Sequence, residues 1–154
     1  MNLLLRLLYV LYLSRSREKL PLERAVSRLT LRVLPNDLDI NMHMNNGRYL
    51  TICDLNRVDL FIRTGLLKSM RKRKWFPVIA EHTMAYKKSL HLFEKYDVTL
   101  EVTHWDEKYF HMTHTFSNAE RVLAIGTSKG VIRTRSEVVK PVDVMAAVRE
   151  DNAA

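Results

Sequence analysis

The stretch PNDLDINMHMNNGRYL, residues 35–50, threads Asp37, Asp39, Asn41, His43, Asn45 and Asn46 between Leu38, Ile40, Met42 and Met44. A carboxylate in such a set can attack an electrophile or take a proton from water, while an imidazole and amides supply hydrogen bonds. Asp, Asn and Gly are also turn formers, and a loop from a strand to a helix accounts for part of the pattern. A tight turn needs only a few such residues, and the alternation with apolar side chains aims the polar groups one way.

The elements on either side must hold that loop. Upstream, SRLTLRVLP alternates Leu29, Leu31 and Val33 with Thr30, Arg32 and Leu34, a strand that Pro35 ends. Downstream, GRYLTICDLNRVDLFIRTG, residues 47–65, carries Ile52, Leu55, Val58 and Ile62 at helical spacing and meets Gly65 where a cap belongs. A short basic helix or turn, LLKSMRKRKW, follows, and then four strand-like runs at 76–89, 96–107, 108–118 and 121–139, with hairpin turns at WDEKY and SNAER. One strand, one long helix and a strand meander predict an α+β fold in which an antiparallel sheet covers a central helix.

The chain has 154 residues, 47% of them hydrophobic, enough for one domain with a real core. Its 25 Lys+Arg against 17 Asp+Glu give a formal charge of +8 and favour an anionic partner. The lone Cys53 excludes an intrachain disulfide and a cysteine-rich zinc site, in keeping with a reducing compartment such as the cytoplasm. The start, MNLLLRLLYVLYL, is too short for a bilayer span, is interrupted by Arg6, and lacks the flanking pattern of a cleaved signal. It predicts a helical segment over 1–20 with Leu and Tyr around most of its circumference. Two roles stay open: packing on the domain or a partner subunit, or peripheral contact with a membrane through residues 1–19, with Arg15, Arg17 and Lys19 on anionic headgroups.

Asp37-x-Asp39-x-x-x-His43-x-Asn45-Asn46-x-x-Tyr49, between a strand and a long helix, resembles the entry motif of hotdog-fold acyl-CoA thioesterases of the 4-hydroxybenzoyl-CoA thioesterase type. The likeness runs from about Leu29 to Pro141. It includes YLTICDLNRVDLFIRTG as the central helix and AYKKSLHLFEKYDVTLEV as the following strand pair; the apolar leader resembles a subgroup with a hydrophobic N-terminal segment. The resemblance implies one hotdog domain over 26–145, an acyl-CoA substrate, no cofactor, and a homodimer or tetramer whose acyl site lies between subunits. It maps the catalytic carboxylate onto Asp39. Many relatives carry Gly before the histidine, so Met42 implies a narrower channel here.

Thioester hydrolysis needs a carboxylate that attacks the carbonyl or removes a proton from water, and Asp39 suits either role. Asp37 reads as structural, bonding loop amides. His43 and Asn45 are the accompanying catalytic candidates, and Asn46, Gly47 and Tyr49 open the helix whose unpaired N–H groups and dipole suit oxyanion charge. Core packing is the simpler role for the Tyr49 ring. Lys87 and Lys88, with KSMRKRK and SKGVIRTR, offer cations to coenzyme A phosphates. No nucleic-acid motif accompanies the basic residues. His111 and His114 fall on opposite strand faces with no cysteine or carboxylate cluster beside them, which predicts no metal. Glu81 reads as a solvated strand residue. The competing functions are a hotdog dehydratase, whose His-Phe-Pro-Gly type stretch is missing, and a non-catalytic acyl-CoA or lipid-binding hotdog module.

Overall fold

Ser27, Leu29 and Leu31 alternate inward from strand β1 (Val26–Arg32) while Arg28, Thr30 and Arg32 face out, the period-2 pattern of a strand with one buried face. The computed structural model describes residues 2–119 and 121–154. Helix α1 (Asn2–Ser16) precedes β1; helix α2 (Asn46–Thr64) follows it, then helix α3 (Leu66–Arg73). Strands β2 (Phe76–Tyr86), β3 (Lys95–Trp105), β4 (Phe110–Ser117), β5 (Val122–Arg133) and β6 (Val138–Val139) and helix α4 (Pro141–Ala153) complete the chain.

The sheet is antiparallel with the order β1-β3-β4-β5-β2, and β6 pairs with the end of β5. The expected meander therefore holds only for β3-β4-β5. β2 and β3, adjacent in sequence and expected as a pair, do not touch as partners: β2 pairs with β5 and β3 with β1. The physical reason is the helix. The chain crosses between β2 and β3 from one edge of the sheet to the strand beside β1, so β1 and β2, the two strands that flank α2 in sequence, end at opposite edges of the sheet.

α2 begins where Asn45 accepts the Gly47 N–H through its side chain at 2.8 Å, and ends at Gly65, whose φ of 81° is the left-handed conformation that glycine adopts without a Cβ penalty. Most of its circumference is covered: Tyr49, Ile52, Cys53, Leu55 and Leu60 enter the core, alongside buried Asn56, Arg57, Asp59 and Arg63. Asp59 is satisfied by the Ser14 and Ser27 hydroxyls at 2.7 and 2.6 Å and by Arg63 at 3.3 Å.

α1 packs on α2 along one stripe. Val10 is fully buried, Leu7 and Leu13 join the same core, and Arg6 and Ser14 go down with them. Arg6 donates to the Arg32 carbonyl and Arg17 to the Arg28 carbonyl, both at 2.8 Å, so the leader's arginines occupy acceptors of the β1 edge. Leu3, Leu4, Leu5, Leu8, Tyr9 and Tyr12 remain exposed on the rest of α1. Among the described residues no helix is long and apolar enough to cross a membrane.

α4 docks on α3 through Asp151, which is buried and accepts from Ser69 at 2.6 Å, Lys72 at 2.7 Å and Arg73. These donors hold its carboxyl well below the usual range.

Candidate active site

Asp37 organises the loop that carries Asp39. Its carboxylate is buried, accepts the Leu34 N–H at 2.8 Å, and is gripped by both Arg6 terminal nitrogens at 3.0 and 2.6 Å. Its carbonyl accepts the Asn45 N–H at 2.8 Å, which joins this ion pair to the start of α2. Asp37 thus bonds a loop amide, as expected, and also an arginine that the sequence presented only as a break in an apolar run.

Asp39 closes the next turn. Its Oδ1 accepts from the Asn41 N–H at 2.8 Å and weakly from that of His43 at 3.5 Å, while its own N–H donates to the His43 carbonyl at 2.8 Å. Oδ2 makes no hydrogen bond with the described residues, so one oxygen holds the turn and the other is spare. Met42 adopts φ 61°, and its side chain is 61% exposed. Glycine would adopt this left-handed backbone without a Cβ penalty.

The loop is pinned to the segment after β2. Met44 N–H donates to the Leu90 carbonyl at 2.8 Å, and the His43 ring meets the His91 ring edge-on at 4.8 Å. A cleft of about 260 Å³ results, lined by Asp39, His43, Met44, Asn46, Tyr49, Tyr86, Lys87, Lys88 and Ser89. Of the residues singled out in the sequence, Asn45 and Gly47 stand outside this lining; they are bound to each other as cap and first-turn donor. A side chain at Gly47 would come within 3.2 Å of the Asn45 oxygen. The Asn46 N–H has no partner among the described residues, and it belongs to the first turn of a long helix. Tyr49 is buried between Tyr86 and Phe116, with ring centroids 5.0 and 4.9 Å away, and burial pushes its hydroxyl up to about 12. Sequence reasoning missed Tyr86, whose hydroxyl donates to the Asn46 carbonyl at 3.3 Å, and Ser89; both flank the two lysines.

The basic run after α2 lies elsewhere. Lys68, Lys72 and Arg73 all bond Asp151, and Lys129 of SKGVIRTR pairs with exposed Glu81 at 2.8 Å, so only Lys87 and Lys88 of the expected cations line the cleft.

A second polar group lies under β2. His114 was expected to stand apart from any cysteine, yet Cys53 and His82 converge on it, with one ligand atom from each within 4.8 Å of the others. Linear spacing carries no sign of this, because the three come from α2, β2 and β4. Arg57 fills the same place: its Nη2 approaches His82 Nδ1 at 3.2 Å and His114 Nε2 at 3.3 Å. Burial, reinforced by the Arg57 charge, lowers His82 and brings His114 down to about 3; burial pushes the Cys53 thiol up to about 12.

Residues 33–150 match the Thioesterase-like superfamily. Protein THEM6 of Xenopus laevis is 39% identical over 84 residues, which are 54% of this chain and 41% of that protein; the chain spans about two fifths of that relative's length. Among solved structures, the probable thioesterase YbaW of Escherichia coli aligns with a TM-score of 0.74 at 16% identity, over 80% of this chain and 96% of that one. The protein SAV2348 of Staphylococcus aureus, solved in complex with CoA, aligns with a TM-score of 0.70 at 16% identity, over 83% and 84%. At such identities the two structures speak for the fold.

Proposed function

The chain belongs to the thioesterase-like superfamily and has its hotdog fold, and from that premise we propose that it hydrolyses the thioester of an acyl-CoA, or of an acyl carrier protein, to free acid and thiol. The observation that carries this reading is the convergence of Asp39, His43, Asn46, Lys87 and Lys88 on one cleft at the start of α2. Asp39 Oδ2 either attacks the thioester carbon or removes a proton from the water that does; in both cases the carbonyl oxygen gains charge. The Asn46 N–H and the positive end of α2 supply the stabilisation it needs in this reading. His43 hydrogen-bonds the thioester, and Asn45 acts through the cap that fixes the helix start. Lys87 and Lys88 receive the phosphates of coenzyme A, a ligand that SAV2348 is known to hold.

The reading extends to assembly and place. β2 presents an unpaired edge eleven residues long, with Phe76, Val78 and Tyr86 exposed, and pairing with a second copy would continue the sheet into a homodimer or a dimer of dimers. The exposed leucines and tyrosines of α1, beside exposed Arg15 and Lys19, support peripheral contact with an anionic membrane from the cytoplasmic side, whereas Arg17 is turned to the Arg28 carbonyl and Asp59. A panel of acyl-CoA esters assayed for free thiol tests the activity: release above the buffer rate is expected, and silence across short, long and aromatic acyl groups refutes it.

A further inference from the structure

The hairpin that carries Asp39 ends in an apolar tip. Leu38 and Met44 pair as an antiparallel bridge, the Asp39 N–H donates to the His43 carbonyl at 2.8 Å, and Ile40, Asn41 and Met42 form the loop between. Such loops commonly place Gly at their left-handed position, which here is Met42 at φ 61°. Ile40 is 98% exposed. The neighbouring segment repeats the choice. The His91 carbonyl accepts the Glu94 N–H at 3.0 Å, and Phe93, inside that turn at φ 63°, is 55% exposed where Gly or Asn is usual. Three large apolar side chains thus occupy turn positions that favour other residue types. Neither backbone conformation nor burial accounts for them there, which points to a contact outside the chain.

The two loops lie side by side. His43 pairs with His91 as a bridge, their rings 4.8 Å apart, and the Met44 N–H donates to the Leu90 carbonyl. α1 starts at the same end: Arg6 donates to the carbonyl of Arg32, which closes β1, and Arg17 to that of Arg28, so the helix runs back along β1 from the loops. Its exposed Leu3 and Leu4 precede Arg6 within a turn.

Cations accompany the tips. Arg32 donates to the Phe93 carbonyl at 2.8 Å, Arg48 donates to the Asn36 carbonyl at 2.9 Å, Lys95 pairs across from Arg32, and exposed Lys87 and Lys88 line the cleft with Asp39. Of the acids at this end, Asp37 is buried against Arg6, and Asp39 and Glu94 are half-buried. Apolar tips on separate loops in a basic surround fit an anionic lipid surface, where the side chains enter the interface and Lys and Arg stay at the headgroups. A protein partner would call for a contiguous apolar centre instead.

We propose that the 40–42 hairpin tip and Phe93 insert into the interface of an anionic membrane, so that the Asp39 cleft opens onto the lipid and takes long-chain acyl thioesters held in the bilayer. The role of the cleft rests on the thioesterase reading, and the docking extends the contact made by α1 to the loops that border the site. Each CH₂ of a long acyl chain favours lipid over water, which concentrates the substrate where the cleft faces.

The test uses the full chain and vesicles of equal parts phosphatidylcholine and phosphatidylserine. Ile40→Asn, Met42→Asn and Phe93→Asn together put a turn former at each position, two of them left-handed, so the melting temperature should hold or rise. Wild type should co-sediment with these vesicles, less with phosphatidylcholine alone, and less again in high salt, while the triple variant should bind about tenfold or more weakly. Free thiol release from palmitoyl-CoA held in the vesicles should fall with binding in the triple variant, while kcat/KM for soluble butyryl-CoA stays within about twofold of wild type. α1 is intact in that variant, so binding equal to wild type overturns the proposal and leaves the α1 contact standing. Wild type that ignores the vesicles overturns it too. So does a triple variant that loses self-association in light scattering, which assigns the tips to a second copy. Absent hydrolysis of both substrates refutes the thioesterase reading, and with it the choice of substrate, while co-sedimentation still decides the docking.

Discussion

Replacing Arg6 with Met tests how far the leader supports the catalytic loop. The Met stem keeps the packing of the aliphatic chain and removes the guanidinium. Asp37, 1% exposed, would then retain only the Leu34 N–H at 2.8 Å and the distant Arg48 Nε at 3.7 Å. Breaking a buried ion pair by removing one partner costs about 3–5 kcal/mol, and the residual Arg48 contact puts this case near the lower end. For a chain of this size about 3 kcal/mol corresponds to a fall in Tm of roughly 6–12 °C. Asp37→Leu in the Arg6→Met background should recover part of the loss, so a double-variant cycle by urea unfolding returns a large coupling energy. Because Asp37 also fixes Asn45 and stands two residues from Asp39, thioester turnover should fall at temperatures where the variant is fully folded. Arg6→Met within about 0.5 kcal/mol of wild type, or a cycle with no coupling, refutes the reasoning.

His114 is expected to govern acid stability. Its ring binds a proton near pH 6.5 when unfolded but only near 3 when folded, so the unfolded chain holds the extra proton between those values. Its stabilising contribution is therefore complete above pH 6.5 and is lost as the pH falls toward 3, by up to about 1.4 kcal/mol per unit. His82 adds in the same direction. Unfolding free energies from pH 5 to 6.5 should slope accordingly and flatten in His114→Asn; an unchanged slope contradicts this. Met42→Gly relieves a left-handed residue and should leave stability within about 1 kcal/mol of wild type or above it, and a larger loss in thermal melts would mean that the exposed Met side chain packs. Leu4→Ser with Leu8→Ser changes two side chains 59% and 53% exposed, so melting should hold steady while co-sedimentation with anionic vesicles weakens; binding equal to wild type removes the membrane reading.

Local signals carried the parts of the fold that local physics decides. Helical spacing over residues 47–65 and the cap at Gly65 bounded the central helix within a residue at each end, and alternation at Leu29 and Leu31 located β1. Strand order was beyond such signals, because β2 joins β5 across more than thirty-five residues and alternation does not name a partner. The cleft was legible in part. Asp39, His43 and Asn46 lie close in sequence, and Lys87 and Lys88 were visible as cations, but charge alone did not separate them from the run that clamps Asp151. Arg6 and the group of Arg57, His82 and His114 were illegible for one reason: each depends on elements far apart in the chain, and a buried cation looks in sequence like any exposed one.

The central claim is that the Asp39 carboxylate performs the chemistry. Asp39→Asn keeps an Oδ1 acceptor for the Asn41 N–H and so preserves the turn, while an amide neither attacks nor takes a proton. Release of free thiol from a good acyl-CoA substrate, measured for wild type and Asp39→Asn with matched melting curves, separates chemistry from structure. The account predicts an intact fold with turnover lower by about 100- to 10,000-fold; an Asp39→Asn protein that turns over as fast as wild type contradicts it.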